Sequence, residues 1–152
     1  MRFLIPVLFL SRMLSGTVHG TPSQSVSIPA DISAVVVPVS PSPSELNAAQ
    51  ELAEHLSKVS GTKISCVKES SSPALKNAIY VGRTRFAYSK KIDPHFMGQE
   101  EWLIRSFPDG VAIVGGGTCG TLYGAYEFLE RFAGIVWVDE RFTYIPPSDP
   151  VL

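Results

Sequence analysis

The stretch "AIVGGGTCGTLYGAYEFLERFAGIVW" (112–137) decides how this chain folds, because an apolar run, a glycine-rich turn and a helical pattern follow one another in it. Its glycines Gly115, Gly117 and Gly120 spell G-x-G-x-x-G, the form of a dinucleotide-binding turn. Such a turn follows the first strand of a parallel βαβ unit and precedes several more strands. Here it follows the second strand of a predicted hairpin, and one predicted strand remains. The context therefore argues against a nucleotide site.

The glycines have a structural interpretation instead. Gly115, Gly116 and Gly117 let the chain turn from strand into helix. Gly120 and Gly124 lie four residues apart on one helix face, where they allow a close approach to the sheet. We predict that these five glycines are a structural motif, and we assign no cofactor to this chain.

Two helices are predicted from apolar periodicity. In "SPSELNAAQELAEHLSKVSG", Ser42 caps the first helix, Glu45 completes a capping box and Gly61 ends the helix. The second runs from Thr118 to about Ala133 and stops at Gly134. The predicted buried faces are Leu46, Ala49, Leu52, Ala53, Leu56 and Val59 on the first helix, and Leu122, Ala125, Tyr126, Leu129 and Phe132 on the second.

Strands are predicted at "ISAVVVPV", "TKISCV", "NAIYVG" and "IVWV". "EEWLIRSF" and "VAIVG", joined by the turn "PDG", predict a β-hairpin with Trp102 and Ile104 on one side and Leu103 and Arg105 on the other. The order is β-α-β-β-β-β-α-β. It indicates an α/β (α+β) two-layer sandwich with a mixed sheet of about five to six strands and two main helices.

The N-terminus has the features of a secretory signal peptide. Arg2 precedes the apolar run Phe3–Leu10, and small residues lead up to Gly20. The run is far shorter than the about 20 residues that cross a bilayer, so no membrane span is predicted. We predict a signal peptide at 1–20 cleaved near Gly20, a linker at 21–31, a domain at 32–147 and a short tail at 148–152, in a secreted or periplasmic protein.

Charge and cysteine content exclude several classes of function. The formal net charge is −1, from 13 Lys and Arg against 14 Asp and Glu, so the chain has no excess of positive charge with which to bind nucleic acid. Cys66 and Cys119 lie 53 residues apart, which excludes a local C-x-x-C redox or zinc motif. Whether they form a disulfide or remain two buried free thiols is left open.

Candidate chemical groups are few, and we predict no catalytic or metal site. Glu51 and His55, at i and i+4, are interpreted as a solvated helix face, because no second histidine is near. Glu100–Glu101 are adjacent at a strand start, so they point to opposite faces and are interpreted as surface charges. Asp139–Glu140, also adjacent, belong to a sugar site only if another domain supplies the rest.

Two loops and the aromatic residues can each be interpreted in more than one way. "GRTR" (82–85) is interpreted as an exposed loop, with anion or domain binding as the alternative. In "KIDPHFMGQE", Phe96 and Met97 are expected to cap the core rather than form an exposed patch. Trp102 is expected in the core. A sugar-binding platform needs at least two of its candidate aromatics on one open surface; these are Trp102, Trp137, Tyr88 and Tyr144.

The segments "GGGTCGTLYGAYEFLERFAGIVW", "AAQELAEHLSKVSGTKI" and "IYVGRT" carry a family resemblance. About residues 30 to 147 resemble the non-catalytic N-terminal α/β domain that precedes the barrel in α-glucuronidases and β-N-acetylhexosaminidases (β-hexosaminidase-like domain 2). A related domain stands at the front of large bacterial secreted proteins thought to act on polysaccharides. The matching helix positions are Gly120, Leu122, Tyr123, Gly124, Tyr126, Phe128 and Leu129. Cys119 departs from the polar residue expected before Gly120.

The resemblance implies a secreted accessory domain of the glycoside hydrolase type, in which the barrel carries the catalytic groups. Its partner is then that catalytic barrel or a glycan, and the chain is a fragment or a free-standing copy without a barrel. Two alternatives stay open: a carbohydrate-binding module, and part of an active α-glucuronidase-like or hexosaminidase-like hydrolase.

Overall fold

The structure, a computed structural model, describes residues 31–70, 75–139 and 142–146. The predicted signal peptide, nearly all of the predicted linker and the predicted tail lie outside these ranges. The elements in chain order are β1 (Ala34–Val37), α1 (Pro43–Ser60), β2 (Ser65–Lys68), β3 (Ala78–Val81), α2 (Arg85–Ser89), a 3₁₀ turn (Pro94–Phe96), β4 (Trp102–Phe107), β5 (Gly110–Gly115), α3 (Gly120–Ala133), β6 (Val136–Asp139) and β7 (Phe142–Tyr144). In the described ranges no helix has the length and apolar character needed to cross a bilayer.

Five strands form one mixed sheet in the order β2-β1-β3-β5-β4. β1, β2, β3 and β5 are parallel, and β4 returns antiparallel to β5 with Trp102 opposite Gly115. The α/β class, the mixed sheet and the β4–β5 hairpin are therefore confirmed. The strand predicted from "IVWV" does not join this sheet, because β6 pairs with β7 in a separate two-stranded sheet that the sequence pattern missed.

The central strands β1, β3 and β5 are buried on both faces, and apolar residues accordingly follow one another along them without alternation. Val35 and Val37 face α1 and α3, whereas Val36 faces α2 and the loop after it. The two main helices thus form one layer, as predicted. The short helix α2, which was not predicted, covers the opposite face through Phe86, stacked on Tyr80 with ring centroids 3.9 Å apart.

Three of the four predicted ends of the two main helices are confirmed, each by its capping residue. The Ser42 hydroxyl accepts a hydrogen bond from the Glu45 amide at 3.2 Å, and the Glu45 carboxylate accepts one from the Ser42 amide at 2.7 Å. Gly61 and Gly134 end α1 and α3 in the left-handed conformation, with φ of 69° and 68°. α3 begins at Gly120 rather than at Thr118.

Much of each predicted buried face is confirmed, and the differences lie at its margins. The buried residues among those predicted are Ala49, Leu52, Ala53 and Leu56 on α1, and Ala125 and Leu129 on α3. On α3, Phe128 is fully buried, whereas Leu122 and Phe132 are half-buried at the margin of the core. On α1, Leu46 is exposed and Ala48 is buried instead. Each helix packs on both the sheet and the other helix, so its buried arc is set by two neighbours rather than by one apolar stripe.

The two cysteines are free and half-buried. Cys66 lies on the edge strand β2, and Cys119 follows β5, which is three strands away across the sheet. Burial raises the pKa of the Cys66 thiol. Of the two alternatives for the cysteines, the structure has the free thiols and not the disulfide.

Phe128→Ala is expected to lower the free energy of unfolding by about 3–5 kcal/mol, because it leaves a cavity beneath α3. Phe132→Ala, on the same helix and closer to solvent, should cost clearly less. Urea unfolding followed by tryptophan fluorescence measures both losses. Equal losses, or a larger loss for Phe132→Ala, would contradict the orientation of α3.

Candidate functional site

The carboxyl ends of the parallel strands meet at one edge of the sheet, where α/β proteins usually place their ligand sites. Here β1 leads into α1, β3 into the "GRTR" turn and β5 into the glycine turn. Glu45 and Arg83 join the first two of these connections. The geometry of this edge therefore determines what the domain offers to a ligand.

Glu45 is a buried carboxylate, with only 3% of its surface exposed. Its Oε1 accepts hydrogen bonds from Arg83 N and Nε at 2.8 and 2.9 Å; its Oε2 accepts from Ser42 N at 2.7 Å and from Arg83 Nη2 at 3.1 Å. Burial by itself raises the pKa of Glu45, but the hydrogen bonds from Arg83 and Ser42 outweigh it and leave the pKa below its ordinary value of 4.5. Glu45 is thus an ionised structural group with both oxygens engaged.

The interpretation of "GRTR" as an exposed loop was wrong for two of its residues, Gly82 and Thr84, which are buried. Gly82 is buried against the Glu45 side chain with φ of 76°, a conformation and a space that suit glycine alone. Thr84 is buried and caps α2, because its hydroxyl accepts from the Ala87 amide at 3.2 Å. Arg83 and Arg85 remain exposed.

The glycine turn lies in backbone contact with the loop before β4. A Cβ at Gly116 would overlap the carbonyl oxygen of Gly98, and one at Gly117 would overlap that of Gln99. A Cβ at Gly115 would overlap the backbone at the start of α3. The Gly116 amide also donates to the Glu101 carbonyl at 2.9 Å. Backbone atoms of the protein itself therefore fill the space around this turn.

The acidic residues before β4 are exposed, as expected for surface charges. Glu100 points to solvent, and the Glu101 carboxylate accepts a hydrogen bond from the Gly98 amide at 2.8 Å. Asp139 ends β6, and Glu140 lies outside the described residues. Over the ranges that are described, no three His, Cys, Asp or Glu side chains are grouped to hold a metal ion.

The prediction of a solvated face at Glu51 and His55 was wrong for His55, which is 8% exposed. Its Nδ1 lies 2.9 Å from the Glu51 carbonyl oxygen, and its ring makes an edge-to-face contact with Trp137, with ring centroids 5.0 Å apart. Tyr126 contacts the same indole at 5.2 Å. The β6–β7 hairpin folds back over α1 and α3, and Trp137 fixes it there. A residue that looked exposed on an isolated helix is thereby covered.

The opposite side of this hairpin is an exposed apolar surface, which we call the hairpin face. Strand alternation turns Trp137 inward and its neighbours outward. The hairpin face consists of side chains that are 47–59% exposed: Val136, Val138, Phe142 and Tyr144. Sequence reasoning missed it because the segment "FTY" was not recognised as a strand, although its apolar–polar alternation is a signal for one.

The loop and aromatic predictions were partly wrong. Phe96 is 89% exposed, while Met97 packs against the core under α2 as expected. Trp102 is on the edge strand β4 and is partly exposed, beside Tyr123 rather than in the core. The platform considered as an alternative is not formed: Trp137 turns inward, Tyr88 is on α2, Tyr144 is on the hairpin face and Trp102 is at the start of β4.

Glu45→Gln is expected to lower the free energy of unfolding by about 2 kcal/mol at neutral pH, because it removes charged hydrogen bonds. Since the folded pKa is lowered, this stability is present above the unfolded pKa near 4.5 and is lost as pH falls through the folded pKa. The gap between parent and variant should therefore narrow below pH 4.5 in urea unfolding. Glu130→Gln, at an exposed position of α3, is the control, and a gap independent of pH would contradict the ion pair.

The family comparison agrees with this architecture. The sequence profile described as "Glycosyl hydrolase family 67 N-terminus" matches residues 23–128, which is more than half of the chain. A comparison with curated proteins finds no match. The matched range includes the whole main sheet and α1, and it confirms the resemblance to the N-terminal domain of α-glucuronidases. The chain therefore belongs to the family of N-terminal domains of family 67 glycosyl hydrolases.

Proposed function

We propose that this chain is a secreted, non-catalytic accessory domain that packs against and supports the catalytic domain of a glycosyl hydrolase. The observation that carries the proposal is the hairpin face. Two valines, a phenylalanine and a tyrosine are exposed there, on a hairpin whose Trp137 packs against His55 of α1 and Tyr126 of α3. Exposed apolar groups arranged in this way are typical of a surface that another domain covers.

The carboxylates support a non-catalytic role. Glycoside hydrolysis needs two carboxyl groups roughly 5–10 Å apart on either side of the bond that is cleaved. Glu45 is committed to Arg83, Asp93 to His95 and Asp109 to Lys90. Glu100 and Glu101 are adjacent in the chain, and both residues are exposed. The catalytic acid and nucleophile are then supplied by the following domain, as part of an α-glucuronidase-like or hexosaminidase-like hydrolase.

Docking through the hairpin face is tested by fusing the catalytic domain of a family 67 glycosyl hydrolase after Leu152. We expect differential scanning calorimetry to show one cooperative transition for the fusion, because apolar burial couples the two domains. Val138→Asp should split it into two transitions, since a buried charge without a partner opposes docking. Tyr88→Asp, at an exposed position on α2 and so outside the hairpin, is the control.

Two independent transitions in the parent fusion, unchanged by Val138→Asp, would refute docking at this surface. If Tyr88→Asp split the unfolding transition as well, the effect would come from the added charge itself and not from its position on the hairpin face.

Secretion is tested by expressing the full chain in a bacterial host and sequencing the N-terminus of the exported protein. We expect Thr21 as the first residue, because cleavage near Gly20 fits the small residues before it. Leu8→Arg places a charge in the apolar run and should keep the protein inside the cell with Met1 attached. Export of the variant at the parental level, or a parent that retains Met1, would argue against the signal peptide.

A further inference from the structure

An exposed pair of aromatic rings, which we call the aromatic corner, lies where β4 begins beside the first turns of α3. Trp102 and Tyr123 meet edge to face, with ring centroids 6.4 Å apart and planes at 78°. They are 36% and 40% exposed. Each ring combines a large apolar face with a polar edge. The corner thus presents parts of two rings, set nearly at right angles, to solvent.

The backbone behind the corner holds it in place. A Cβ at Gly124 would come within 3.2 Å of the Trp102 Cβ and 3.1 Å of Ile113 Cγ2, so this glycine lets α3 approach the strand that carries Trp102. Trp102 is also paired with Gly115, whose Cα packs against the start of α3. Because the rings are attached to a strand and a helix that are packed together, little conformational freedom is lost on binding.

Hydrogen-bonding groups lie next to the two rings in the chain. Cys119 is one helical turn before Tyr123, whose amide donates to the Cys119 carbonyl at 3.0 Å, and Glu100 is an exposed residue two positions before Trp102. Cys119 first and then Glu100 raise the pKa of Tyr123 above its ordinary value of 10.0. The Thr118 hydroxyl, also exposed, lies 3.7 Å from the Cys119 sulfur. A ligand stacked on the rings therefore meets both donors and acceptors.

We infer that the aromatic corner binds a neutral polysaccharide, with one pyranose ring stacked on Trp102. The C–H bonds on the apolar face of a pyranose are attracted to the electron-rich face of an indole ring. The ring hydroxyls then exchange hydrogen bonds with the Tyr123 phenol and donate to the Glu100 carboxylate. This binding site differs from the platform considered from the sequence, because Tyr123 was not among its aromatics.

Charge and surface chemistry select this class of ligand over others. Glu100 and Glu101 are both exposed beside the corner, and they repel polyuronates and nucleic acids. A protein partner fits the hairpin face better, because four exposed apolar side chains lie on that hairpin. The inference rests on the proposed function only for the choice of a polysaccharide, the polymer that a glycosyl hydrolase encounters. Its test needs no catalytic domain, so the two proposals fail independently.

The experiment is calorimetric titration of the full chain with cellohexaose and xylohexaose, and with hexagalacturonate as the anionic counterpart. We expect saturable binding of at least one neutral oligosaccharide and no heat from the anionic one. Trp102→Ala should weaken binding about tenfold, because the stacking surface is lost. Tyr88→Ala, which removes an equally exposed tyrosine from α2, should leave binding unchanged.

Tyr123→Phe is the second variant, and it keeps the ring while removing the hydroxyl. It should weaken binding by a smaller factor than Trp102→Ala does, and because the side chain is exposed it remains a valid test if Trp102→Ala fails to fold. No heat from either neutral oligosaccharide overturns the inference. So does stronger binding of hexagalacturonate, or neutral binding that survives both Trp102→Ala and Tyr123→Phe.

Discussion

The buried carboxylate of Glu45 is the constraint on which the arrangement of this domain depends. Taking a charge out of water is costly unless hydrogen bonds replace its hydration, and Glu45 receives them from the Ser42 amide and from both the backbone and the guanidinium of Arg83. One side chain thus caps α1 and fixes that helix to the end of β3. Gly82 is part of the same constraint, because any side chain there would occupy the space of the carboxylate.

The glycine turn acts at the next connection along the same edge. Its backbone packs directly on the loop before β4 and on the start of α3, so the strand, the turn and the helix have a fixed relation. Trp102 and Tyr123 are brought together as a consequence, although they are 21 positions apart in the chain. The G-x-G-x-x-G spacing therefore serves close packing in this fold, and the aromatic corner is built on that packing.

Two outward surfaces with different chemistry result. The hairpin face is aliphatic and aromatic, and it is held from behind by Trp137 against His55 and Tyr126. The aromatic corner combines rings with a carboxylate and hydroxyl groups. These are the two surfaces for which we propose a second domain and a polysaccharide as partners, whereas the buried charge of Glu45 serves the fold.

The sequence by itself determined the features that depend on local interactions. The capping box at Ser42 and Glu45, the stops at Gly61 and Gly134, and the β4–β5 hairpin follow from residues within a few positions of one another. The class of fold followed from the order of these elements. Tertiary structure decided the margins of each buried helix face, the covering of His55 by Trp137, and the exposure of Trp102. Those outcomes depend on contacts between residues distant in sequence, and the periodicity of a single segment holds no information about its neighbour in space.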